Sequence, residues 1–197
     1  MKKLFFTAPV FLLLCLFVAA GCRTGSPIAA KPDKPLVSGT VYTKYNIHIQ
    51  QKGSKATASY ANWTGPFAGH AVIEPNTRVV ASRWRNGFRL DCVDKGLTVL
   101  FEYDPSRMNM SAAEYVKQIT SPNPVSYNNL SGVDQKGIKN GQAYRGMSKK
   151  GVMVALGYPA AHRTPSPESD TWTYWTNRFN TIAVRFDDSG KVREVID

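Results

Sequence analysis

The residues able to do chemistry in this 197-residue chain are few: three histidines, three cysteines and fourteen carboxylates. His48, His70 and His162 stand far apart and show no metal-ligand spacing. The chain holds no Gly-x-Ser-x-Gly elbow, no His-Glu-x-x-His and no Cys-x-x-Cys, and the glycines of a phosphate-binding loop are absent. This predicts no catalytic residue, no metal and no cofactor. Recognition chemistry remains. Tyr158, His162 and Arg163 follow a helical pattern, and Trp175, Arg178 and Phe179 lie on and beside a strand pattern. Aromatic faces beside cationic groups on loops suit a partner-binding surface.

The first residues are an address. Lys2 and Lys3 precede an apolar run, Leu4 to Ala20, broken by Thr7 and Pro9. A basic head, a short apolar stretch and a small-residue exit make a secretory signal. A retained membrane helix is the competing reading, but the run is near the lower limit of about 17 residues and contains a proline. Ala19-Ala20-Gly21-Cys22 resembles a bacterial lipobox, with alanine at 19 where leucine is commoner. The resemblance implies cleavage before Cys22, acylation of Cys22 and, with Arg23 next, export to the outer membrane. Two or more acyl chains anchor a soluble domain stably.

Cys15 would leave with the signal and Cys22 would become a thioether, so Cys92 is the remaining thiol. Alternation puts it on one strand face with Phe88 and Leu90, which predicts a buried, inert side chain. The formal charge of the chain is +11. Removing the signal takes two lysines and no acid, so the mature protein stays strongly basic. In an exported protein this fits anionic lipid or acidic partners, and nucleic acid is not expected.

The elements that must position these residues fall into segments. Residues 1–21 are the signal, and 22–37, with Pro27, Pro32 and Pro35, read as a lipidated tether. Residues 38–104 read as a β-rich module. Val41 to Ile49 is rich in β-branched and aromatic residues, and Thr77–Trp84, Phe88–Val93 and Leu97–Tyr103 alternate with period two. Asn86-Gly87 and Asp94-Lys95-Gly96 read as the turns between them. The strand number suggests an SH3-like barrel. Residues 105–140 read as a helical connector, with Ser111 and Glu114 as a capping box and a second short helix over 130–139 closed by Asn140-Gly141. Residues 141–197 read as a helix, capped by Ser148, on a three-stranded antiparallel sheet. The expected class is α+β.

In that last segment Gly146-Met147-Ser148, Val152, Leu156-Gly157, Pro159, Trp172, Tyr174, Val184, Phe186-Asp187 and Gly190-Lys191-Val192 resemble the SmpA/OmlA (BamE-like) lipoprotein domain. Gly151 departs from it, since an acidic residue or glutamine there would complete a capping box with Ser148. The resemblance implies a non-catalytic, periplasm-facing accessory protein of the outer membrane. It would act through surfaces on an envelope protein partner, such as the machinery that inserts β-barrel proteins. The rival reading is a lipid-anchored inhibitor or ligand-binding protein recognising a peptide, glycan or enzyme. A hydrolase of envelope polymers is the third.

Overall fold

A computed structural model gives the structure of residues 34–197, apart from positions 54 and 86. The signal, Cys22 and the tether as far as residue 33 lie outside the described residues. The chain order is β1 (Val41–Thr43), β2 (Ile47–Lys52), β3 (Lys55–Ser59), β4 (His70–Ile73), β5 (Arg78–Trp84), β6 (Gly87–Cys92), β7 (Leu97–Glu102), α1 (Pro105–Met108), α2 (Ala112–Ile119), β8 (Thr120–Ser121), α3 (Gly132–Asn140), α4 (Lys149–Leu156), β9 (Thr171–Trp175), β10 (Thr181–Phe186) and β11 (Val192–Ile196).

Alternation sets the core face of the first strands. Phe88, Leu90 and Cys92 of β6 are buried together with Val79 and Ala81 of β5 and Val99 and Phe101 of β7. Burial pushes the Cys92 thiol up to about 11, so it stays protonated at neutral pH and is a poor nucleophile. These strands belong to an eight-stranded sheet of order β4-β2-β3-β7-β6-β5-β1-β8. All neighbours are antiparallel except β3 and β7, which run parallel. The sheet curls into a half-barrel, and α2 supplies apolar side chains to its core. Ser111 and Glu114 form the capping box that starts α2. Tyr115 then packs among Phe88, Phe101 and Tyr103, at ring-centroid distances of 6.1, 5.7 and 4.9 Å.

The expected architecture is overturned. The protein is mostly β, an eight-stranded mixed half-barrel with a three-stranded sheet, β11-β10-β9. It is not an SH3-like barrel joined by a helical connector to one helix on three strands. Two physical reasons account for the difference. The chain leaves α2 directly into β8, which pairs with β1, so this stretch completes the large sheet instead of bridging two modules. α3 is no linker either: its Val133 and Ile138 pack with Val152 and Leu156 of α4 on Trp172, Tyr174 and Val184.

One asparagine ties this second core to the large sheet. Asn46 donates its backbone N–H to Val154 O at 2.8 Å, and its side-chain amide to Ile138 O at 2.7 Å and Ala155 O at 3.0 Å. It thereby adds a partner to carbonyls near the C-terminal ends of both α3 and α4, where the helix ladder runs out. Residues Asp33–Asp197 form one compact unit.

Gly151 has a structural explanation. Ser148 caps α4, and its oxygen accepts from Gly151 N at 3.0 Å. The carboxylate a capping box would place at 151 comes instead from α3: Asp134 Oδ1 accepts from Ser148 N at 2.7 Å. A Cβ at 151 would collide with that carboxylate.

Gly87 is not a turn residue. It is the first residue of β6, paired with Trp84, where an added Cβ would strike the carbonyl of Phe101. Gly87→Ala should therefore cost about 1–3 kcal/mol by overpacking. The check is urea unfolding, where the midpoint should fall with an unchanged m-value; an unmoved midpoint contradicts the close approach.

Candidate functional site

β3 and β7 end side by side, with Ser59 opposite Glu102. The chain leaves β3 through a tight loop. Asn62 and Trp63 both adopt positive φ, 71° and 44°, a conformation that costs a non-glycine residue roughly 1–2 kcal/mol. Neighbouring contacts hold the loop there. Asn62 donates its side-chain amide to Tyr158 O at 2.9 Å, and the backbone N–H groups of Thr64 and Gly65 donate to Trp175 O and Thr176 O at 2.8 and 2.9 Å. Gly65 lies so close to Thr176 that a side chain there would meet its carbonyl. The loop thus extends the edge of β9 and presents Trp63 beside Trp175.

Two adjoining clefts open around this pair. One, of about 230 Å³, is lined by Tyr60, Trp63, Glu102, Arg107, Trp175 and Arg178. The other, of about 280 Å³, shares Trp63 and Arg178 and adds Gln50, Phe67, Thr176 and Asn177. A third depression continues from Gln50 to Lys52 and Lys55 on the β2–β3 hairpin. The result is a groove with an aromatic centre, arginines at one end and lysines at the other.

His162 braces the groove. Its ring stacks on Trp175, with centroids 5.1 Å apart and planes at 25°, and meets the edge of Tyr60 at 6.2 Å. Its backbone N–H donates to Arg107 O at 2.9 Å. Partial burial, with Arg107 and Arg163 nearby, holds its pKa below the ordinary histidine value. The neutral ring packs against the indole without adding charge. Arg178 lies 3.9 Å from Glu102, an exposed pair of little energetic weight. Its guanidinium therefore remains available to an incoming carboxylate at small cost.

Of the side chains expected from the sequence, the structure brings His162, Trp175 and Arg178 together. Phe179 projects from the β9–β10 turn with 88% of its surface exposed, and Asn177 Oδ1 shapes that turn by accepting from Phe179 N at 2.7 Å. Arg163 is exposed next to His162. Tyr158 does not join them: it is half-buried and packs on the large core. Cys22 lies outside the described residues. Sequence reasoning missed Tyr60, Trp63, Phe67, Glu102 and Arg107. The signal that marks them is a tryptophan and a phenylalanine placed among Asn62, Gly65 and Pro66, turn residues that leave large side chains no strand face to pack on.

A second polar cluster lies between β2, β4 and α4. His48 Nε2 meets Ala155 O at 3.0 Å, and its Nδ1 lies 2.9 Å from His70 Nε2. Donation to the carbonyl makes His48 Nδ1 the acceptor for His70. His48 is 2% exposed, and burial pulls its pKa down to about 4. The cluster ties sheet to helix. Among the described residues no three of His, Cys, Asp and Glu are grouped to hold a metal ion. No family model, no curated protein and no solved structure matches the chain.

Proposed function

We propose that this chain is a non-catalytic lipoprotein of the bacterial outer membrane, anchored through acylated Cys22, that binds an extended segment of an envelope protein in the Trp63–Trp175 groove. The observation that carries this reading is the groove itself: aromatic faces held by a strained loop, flanked by Arg107, Arg178, Lys52 and Lys55. Fixed aromatic walls bind at low entropic cost, and the basic flanks select acidic side chains. The resemblance of Gly146–Val192 to the SmpA/OmlA motif is what directs the choice of partner to the insertion of β-barrel proteins.

Site-specific photocrosslinking tests the reading. A benzoylphenylalanine at Phe179, introduced in intact cells, is expected to give a discrete protein adduct. Trp63→Ala should reduce that adduct roughly 30-fold, the loss expected when a central interface tryptophan worth about 2 kcal/mol is removed. A barrel-assembly subunit in the adduct supports the assembly role, and a single envelope enzyme supports an inhibitor. An adduct indifferent to Trp63→Ala, or no adduct, refutes the groove.

A further inference from the structure

The described chain begins at a definite place. Arg83 N–H donates to Lys34 O at 2.8 Å, Pro35 forms a bridge with Ser82, and Leu36 N–H donates to Ala81 O at 3.0 Å. Residues 34–36 therefore lie antiparallel along β5, and the segment leading back toward Cys22 departs at the C-terminal end of that strand. Eleven residues lie between Cys22 and Lys34, a reach of at most about 43 Å. Of the described chain, this end of the sheet is the one joined to Cys22 by the shortest stretch of backbone.

The same end carries an indole and several cations. β5 stops at Trp84, which is half-buried, and Arg85 follows with φ at 42° and its guanidinium over the Trp84 ring, 5.1 Å from the centroid. Lys34, Arg83 and Arg85 are all exposed. Among the described residues no carboxylate pairs with any of the three. Nearby, Glu102 stands beside Arg178 and Asp104 beside Arg107, so each of these acids has a cation of its own next to it. Among the described residues the rim therefore presents net positive charge beside an indole, and indoles settle at headgroup depth.

We propose that Lys34, Arg83, Trp84 and Arg85 form a docking surface for the anionic headgroups of a lipid bilayer, holding this end of the sheet on the membrane. The proposal rests on the reading of Cys22 as the lipid anchor. It adds an orientation: the arginine end of the groove, which opens at the same ends of β3 and β7, faces the membrane surface.

The test uses the full mature lipoprotein on vesicles of phosphatidylcholine carrying brominated chains, with and without phosphatidylserine. Trp63→Phe with Trp175→Phe leaves Trp84 and the buried Trp172 as the fluorophores. Trp84 emission should be quenched on vesicles containing phosphatidylserine, and about tenfold less after Arg83→Glu with Arg85→Glu, because each cation contributes to attraction by an anionic surface. In the same background, high salt should release the quenching with Lys34, Arg83 and Arg85 left unchanged. Quenching that matches a Trp84→Phe control, in protein that floats with the vesicles, overturns the docking surface and leaves the anchor intact. Equal quenching on phosphatidylcholine alone also overturns it. Protein that does not float overturns the anchor and the orientation with it.

Discussion

Asp134→Ala should lower the unfolding free energy by about 3 kcal/mol, and adding Gly151→Glu should restore much of the loss. One carboxylate starts two helices. Asp134 Oδ2 accepts from Ser131 N at 3.2 Å and Ser131 Oγ at 2.7 Å at the start of α3, while Oδ1 accepts from Ser148 N and Ser148 Oγ at the start of α4. The residue is 1% exposed. A helix cap contributes about 0.5–2 kcal/mol, and removing this carboxylate weakens two caps and leaves the half-buried N–H of Ser148 without its acceptor. Position 151 is the third residue of α4, the place from which a glutamate reaches back to its own cap. In the parent protein Gly151→Glu should destabilise, because its Cβ meets Asp134. With Asp134 trimmed to alanine the space opens and the capping box closes within α4. The measurement is a double-mutant cycle by urea unfolding. Simple additivity of the two losses would show that Asp134 does not stand in for the missing residue.

Acid should cost the protein about 3 kcal/mol through His48, since every tenfold loss of proton affinity on folding is worth about 1.4 kcal/mol. Its pKa falls from an ordinary 6.5 to about 4 in the fold, so the unfolded chain binds the proton more readily between these values. The sign follows: this stability is fully present above pH 6.5 and is lost as pH falls toward 4. His70, whose ring faces His48 across 2.9 Å, is also held below the ordinary value by burial and adds loss in the same direction. The first proton can sit on His70 without breaking a hydrogen bond, since His48 Nδ1 still accepts. The second must enter the buried ring of His48 and sets two donors against each other. His48→Gln keeps a donor for Ala155 O and does not titrate. Unfolding free energies measured from pH 8 to pH 4 should show a flatter slope for this variant, by about one proton. An unchanged slope would place the titration elsewhere.

Both predictions turn on contacts that no local pattern announces. Ser111 with Glu114, Ser148 followed by an apolar stripe, and the alternation Phe88-Leu90-Cys92 were legible because caps and faces depend on residues within one turn or one strand. Asp134 could not be assigned to Ser148, because the two meet only when α3 packs on α4. Trp63 carries no periodic signal, and its role appears when Thr64 and Gly65 pair with the end of β9, more than a hundred residues on.

By itself the sequence determined the buried faces of β6 and β7, the starts of α2 and α4 at Ser111 and Ser148, and that the chain carries excess positive charge. Only the tertiary structure decided that β3 runs parallel to β7, that the short strand after α2 completes the large sheet, and that Tyr158 turns inward while Trp63 turns out. The reason is that an apolar face specifies burial without naming its partner. The partner is chosen by the register and closeness of segments far apart in the chain, and those exist only once the whole sheet has curled.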